Sequence, residues 1–143
     1  MVEFFTEDIT FDTTILKSVP TWLRQIATNH QTSITSLNYV FCSDEYLLAI
    51  NRQYLNHDYY TDIITFDQSD EDSQPIEGDI FISIDRVYEN AGTRNTESFH
   101  ELLRVIVHGL LHLLGYSDDT KESKLQMRCL EDESLHLYDQ LTR

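Results

Sequence analysis

Two imidazoles stand four residues apart in the segment HGLLHLLGYSDD, at His108 and His112. Four residues of α-helix advance the chain by about 6 Å and turn it by about 40°, so both rings leave one face and can meet a single cation. A lone histidine in an apolar helix is commonly satisfied by a backbone carbonyl, but a His-x3-His pair is a recurring bidentate metal seat. Gly115 lets the chain reverse past the second ring, which brings Ser117, Asp118 and Asp119 back toward His112. An acid from this turn would complete a set of two imidazoles, one carboxylate and a vacant position. That is the donor set of a catalytic zinc centre, in which bound water can be acidified toward a pKa of about 7.

The histidines need a rigid helix. Residues 96–114 are apolar on nearly every side and include Phe99, Leu102, Leu103, Val105, Ile106, Leu110 and Leu111, which predicts a long buried helix. Alternation or β-branched content predicts strands at 2–6, 9–11, 34–42, 62–66 and 79–84. Thr13 or Thr14 is expected to open a helix bearing Ile15, Leu16, Val19, Trp22, Leu23 and Ile26, although Pro20 fits best in a first turn. Ser43 before Asp44 and Glu45 predicts a capped helix ending near Asn56. Val87, Tyr88 and Ala91 predict a short helix that stops around Gly92, and a last helix is expected over 120–138 with Leu125, Cys129, Leu130 and Leu135 on its apolar side. The acidic run DQSDEDSQPIEG reads as a solvated loop joining neighbouring strands. No repeat or linker divides the chain, so residues 1–143 are expected to form one domain.

With 143 residues, 41% of them hydrophobic, the chain can build one sizeable core, and four glycines and two prolines exclude collagen-like sequence. No apolar run approaches the roughly 18 residues of a membrane span, and MVEFFTEDITFD shows neither a basic leader nor an apolar export core. A soluble, cytoplasmic protein is expected. Cys42 and Cys129 have no CxxC spacing and read as reduced packing thiols. Twenty-five acidic residues against ten basic give a net charge of −15, which argues against non-specific DNA coating. Any nucleic-acid role must then use a local basic surface or a metal.

HGLLHLLGY with its acidic turn is similar to the HGxLHLxGYDH signature of the YbeY family. Two further blocks match in order. INRQYLNHDYYTDIITFD (50–67) resembles the family's LN..YR..d.pTDVLSFP, and EGDIFISIDRV (77–87) resembles its LGDIVIS segment. With the acidic last helix, the resemblance covers roughly residues 35–140. It implies an α+β fold, a small mixed β-sheet packed with about five helices around a core similar to that of metzincin proteases. The implied activity is that of a single-strand-preferring, metal-dependent endoribonuclease of ribosomal RNA maturation. Zinc would be the ion, and the partners would be ribosomal RNA, the small ribosomal subunit and its assembly factors. The family's metal ligands carry over onto His108, His112 and Asp118, the last standing where the family has histidine. Asp119 is the alternative third ligand.

A second departure is Leu55, which occupies the place of an arginine thought to assist cleavage in the family. Arg52, on about the same helix face as Leu55, and Arg104, one turn before His108, are the candidate replacements, with ion-paired arginine as the competing reading of each. His100 extends the helical stripe by one further turn, whereas His30, His57 and His136 read as surface residues. Lys121, Lys124 and Arg128 form a short basic stripe that could touch phosphates or pair with Glu122, Glu131 and Asp132. Tyr59 and Tyr60 could stack on an unpaired base or pack on the sheet. Two other functions compete. A non-catalytic, metal-stabilised ribosome-assembly factor is compatible with Leu55 and the acidic charge. A zinc peptidase is disfavoured, because the glutamate of HExxH is replaced by Gly109.

Overall fold

In the computed structural model, which describes residues 1–69 and 75–143, β-branched and aromatic alternation produces a four-stranded mixed sheet. β2 (Ile34–Cys42) lies parallel to β1 (Val2–Thr6) on one side and to β4 (Ile76–Ser83) on the other. β3 (Ile63–Asp67) closes the far edge antiparallel to β4, giving the order β1-β2-β4-β3. β3 and β4 are therefore the neighbouring strands expected on either side of the acidic loop, of which residues 70–74 lie outside the described part. The strand at residues 9–11 does not form; Ile9 and Phe11 pack against the core from irregular chain. β4 begins three residues earlier than expected, and Ile84 belongs to the following helix.

Five helices accompany the sheet among the described residues: α1 (Val19–Asn29), α2 (Asp44–Leu55), α3 (Ile84–Thr93), α4 (Ser98–Leu113) and α5 (Lys121–Thr142). Local capping chemistry sets their ends. Asp12, not a threonine, caps a single 3-10 turn at Thr13–Leu16, and α1 starts afterwards with Pro20 in its first turn, where a missing N–H costs nothing. Ser43 accepts from the Tyr46 amide to start α2, and Asn56 ends it in a left-handed conformation. Thr120 opens α5 through a reciprocal bond with Ser123.

Side-chain alternation splits the core in two. Leu37, Tyr39 and Phe41 of β2 and Ile76, Ile80 and Ile82 of β4 join the large cluster with apolar residues of α1, α3, α4 and α5. A smaller cluster holds Leu47 and Ile50 of α2 with Cys42 and Ile64, and Phe66 and Phe81 pack against it. α4 is buried along most of its length, as its composition requires. Gly109 sets how closely it approaches the sheet, because a Cβ there would meet Ile80 Cδ1 at 2.8 Å and Ile63 Cδ1 at 3.1 Å. Trp22 of α1 donates from its indole to the Ser134 carbonyl at 2.7 Å, which ties α5 to the same core. Two expected core positions of α5 point outward: Leu125 is exposed and Cys129 is an exposed free thiol. No helix among the described residues is long and apolar enough to cross a membrane.

Candidate metal centre

The C-terminus of α4 shapes the site. Its last turn closes with Gly115 N–H donating to His112 O at 3.0 Å and Tyr116 N–H donating to Leu111 O at 3.1 Å, with Gly115 at φ +106°. This double bond pattern absorbs the final carbonyls and reverses the chain, and the φ value is one that residues with a Cβ rarely adopt. The reversal brings Asp118 back onto the histidines. Its Oδ2 lies 3.3 Å from His108 Nε2 and its Oδ1 lies 3.6 Å from His112 Nε2. The two Nε2 atoms are 2.9 Å apart, and the three donor groups lie within 4.8 Å of one another. Asp119, the alternative, is turned away and accepts from Ser123 Oγ at 3.3 Å.

The far nitrogen of each ring is already engaged. His112 Nδ1 donates to the Tyr116 carbonyl at 3.0 Å, and His108 Nδ1 donates to Glu131 Oε2 at 2.6 Å. Each hydrogen bond fixes a tautomer, which leaves the Nε2 lone pairs of both rings converging beside a carboxylate. Two lone pairs and an anion at this separation repel one another and are reconciled by a shared cation or proton. The donor set therefore fits a divalent metal ion, with imidazole and carboxylate ligands and a side open to a cavity.

Behind the histidines lies a buried ionic network. Glu131 also accepts from Arg104 Nη1 at 2.9 Å, and Arg104 Nη2 reaches Asp132 at 2.7 Å. Burial raises the Glu131 carboxyl, but the hydrogen bonds from His108 and Arg104 outweigh it and hold the group below its ordinary range. Burial likewise lowers His108, and the Glu131 contact more than offsets it. His112 is held below the ordinary imidazole value by burial and by the neighbouring His108. Tyr116 is itself anchored, since its hydroxyl meets His30 Nε2 at 3.2 Å while His30 Nδ1 donates to the Ile26 carbonyl of α1. His30 is thus a half-buried brace and not the surface residue expected.

Two cavities meet at the triad. One, of about 400 Å³, is lined by His108, Asp118, Arg104, Lys124, Arg128 and Asp62 among others. The other, of about 550 Å³, is lined by His112, Asp118, Leu55, His57, Tyr59 and Asn51 among others. Asp118 borders both. Arg104 reaches the first cavity with its guanidinium already divided between two carboxylates, and Arg52 pairs with Asp58 on the exposed surface of α2. His100 is exposed, with Thr96 as its neighbour, and lines neither cavity. Tyr60 is exposed and donates to Glu45, while Tyr59 is exposed and stacks against His57.

Sequence reading passed over Glu131, Asp62 and Tyr116 as parts of the site. The signal for Glu131 was present: Lys124, Met127, Arg128 and Glu131 recur at three- and four-residue spacing, and all four line the first cavity. The expected pairing of Glu131 and Asp132 with that basic stripe gives way to Arg104, which reaches them from α4. Asp62 stands just before β3, and burial holds its carboxyl above the usual value.

The family model described as Endoribonuclease YbeY matches residues 1–139. A relative from Cytophaga hutchinsonii named Endoribonuclease YbeY is 54% identical over 94% of this chain and 93% of its own length. One of the same name from Flavobacterium psychrophilum is 45% identical, covering 94% of both chains. Among solved structures, a solution structure of a Thermotoga maritima protein superposes with a TM-score of 0.71 at 25% identity, over 96% of this chain and 89% of that one. Motifs, fold and family match agree, and the chain belongs to the Endoribonuclease YbeY family.

Proposed function

We propose that this chain is a metal-dependent endoribonuclease that cuts single-stranded RNA in ribosomal RNA maturation, with zinc held by His108, His112 and Asp118. The observation that carries the reading is the convergence of those three donors with both Nδ1 atoms already committed elsewhere. The relatives' name supports RNA as the substrate. When bound, the ion supplies Lewis acidity, activating water and offsetting charge on the phosphodiester.

The chain's own groups do the rest. Glu131 and the Tyr116 carbonyl hold the imidazoles in register, and Arg104 acts through Glu131 instead of touching phosphate. Arg52, tied to Asp58 on the exposed face of α2, lines neither cavity and has no part in this scheme. The strongly acidic surface favours delivery by a protein partner over tight generic RNA binding, which fits work on the small ribosomal subunit with its assembly factors in the cytoplasm.

The test gives purified protein single-stranded RNA with and without zinc. Chelator-sensitive cleavage that disappears in His108→Ala and His112→Ala is the expected result. Cleavage unchanged by both substitutions would sink the assignment. Co-sedimentation with small subunits in the absence of any metal-dependent cleavage would favour the non-catalytic assembly role instead.

A further inference from the structure

Both cavities carry carboxylates, but they differ in their cations: besides Asp118, which borders both, the cavity of His108 holds Asp62, Glu101 and Glu131 together with Arg94, Arg104, Lys124 and Arg128. The two arginines that line the cavity of His108 besides Arg128 are consumed by ion pairs, Arg94 with Glu101 and Arg104 with Glu131 and Asp132, and Arg52, on the surface of α2, pairs with Asp58. Lys124 and Arg128 project from α5, four residues apart on one face, both exposed, and both line the cavity of His108. Among the described residues neither enters an ion pair with a carboxylate. The cavity of His112 has no lysine or arginine in its described lining, and it carries the carboxylates of Asp67 and Asp118. Phosphate is repelled there. What it does offer is an aromatic platform: the rings of His57 and Tyr59 lie 5.1 Å apart at 21°, and Tyr59 is 56% exposed.

We infer that a single strand of RNA crosses the triad between two distinct seats. A backbone phosphate sits on Lys124 and Arg128, and a flanking unpaired base stacks on the His57–Tyr59 pair. Asp118, which borders both cavities, marks the crossing point. The inference rests on the ribonuclease reading and adds to it a phosphate seat and a base seat. It supplies the cations that Leu55 does not, from a different helix. It also gives a physical ground for single-strand preference, because a base held in a duplex cannot leave its stack to reach Tyr59.

Binding of zinc-loaded protein to a labelled 2′-O-methyl single strand, followed by fluorescence anisotropy across a salt series, tests both seats. Lys124→Gln/Arg128→Gln is expected to raise Kd roughly tenfold and to flatten the salt dependence by about 0.7 in log–log slope, the value for one lost phosphate contact on a single strand. Tyr59→Ala is expected to weaken binding roughly tenfold, while Tyr59→Phe keeps it, since the ring face and not the hydroxyl makes the contact. All of these residues are exposed, and metal content should stay unchanged in every variant. Unchanged affinity and salt slope in the double variant, or unchanged affinity in Tyr59→Ala, overturns the inference. Failure of the ribonuclease reading looks different: wild-type protein would bind the modified strand yet leave unmodified RNA intact.

Discussion

Glu131 is the residue on which the site's order turns. It sits 6% exposed between a histidine and an arginine, and its two oxygens are shared between them. Glu131→Gln keeps the shape but weakens the acceptor, and it is expected to lower metal affinity about 10- to 100-fold, as read by competition with a chromophoric chelator. Glu131→Ala also leaves Arg104 buried without one of its partners, and it should cost about 3–5 kcal/mol in urea unfolding. Asp62 gives a pH test. Its folded-state pKa lies above the ordinary 3.8, so its contribution to stability is present below that value and is lost as pH rises through the folded pKa. Asp62→Asn should therefore melt above wild type at pH 7, and the gap should close as the pH falls toward 3. A gap that widens on acidification would show the carboxylate to be stabilising as an ion. The thiols divide as well. Burial, followed by the nearby acids, pushes Cys42 up to about 12, while Cys129 is exposed. Native protein is expected to react with one equivalent of a thiol reagent and unfolded protein with two.

At the scale of elements, α4 and its C-terminal reversal do the positioning. Gly115→Ala forces a Cβ into φ +106° and should lower stability by about 1 kcal/mol or more, loosening the return of Asp118. Metal content measured beside the melting curve separates the two effects. This part of the molecule was legible beforehand, because a His-x3-His pair, a glycine and a following acid are all local signals. β2 and α2 were equally plain, since strict alternation and a serine cap leave little to tertiary context. The start of α1 was not. Thr13 and Thr14 have the chemistry of a cap, but Asp12 competes for the same amides and makes a 3-10 turn first. Glu77 and Gly78 resemble loop in isolation, whereas pairing with β2 and β3 carries β4 through them. His30, Leu125 and Cys129 were misjudged for a shared reason: their exposure depends on which neighbour covers a helix face, and periodicity does not report that.

For the whole molecule, a charge of −15 and a few uncancelled cations near one face imply a binder that depends on local geometry more than on bulk field. At physiological salt the protein is expected to leave duplex DNA unshifted in a gel assay at concentrations where it retains single-stranded RNA. Equal retention of both would mean that charge alone governs binding. Polar contacts link distant parts of the chain: α4 reaches α5 through the Arg104–Glu131 ion pair, and the end of α1 reaches the bend after α4 through the His30–Tyr116 hydrogen bond. Damage to either brace should therefore be felt at the triad.

The fit of Gly109 between Ile80 and Ile63 has an evolutionary consequence. In the genetic code, the glycine codons GGA and GGG differ from glutamate codons by one base, so HExxH is a single residue, and with either of those codons a single base, away from this motif. The new carboxylate, however, would start out aimed into aliphatic side chains of the sheet, where an ion is costly and Ile80 and Ile63 would have to shift to make room. The neighbouring proteolytic chemistry is thus one residue away and opposed by packing.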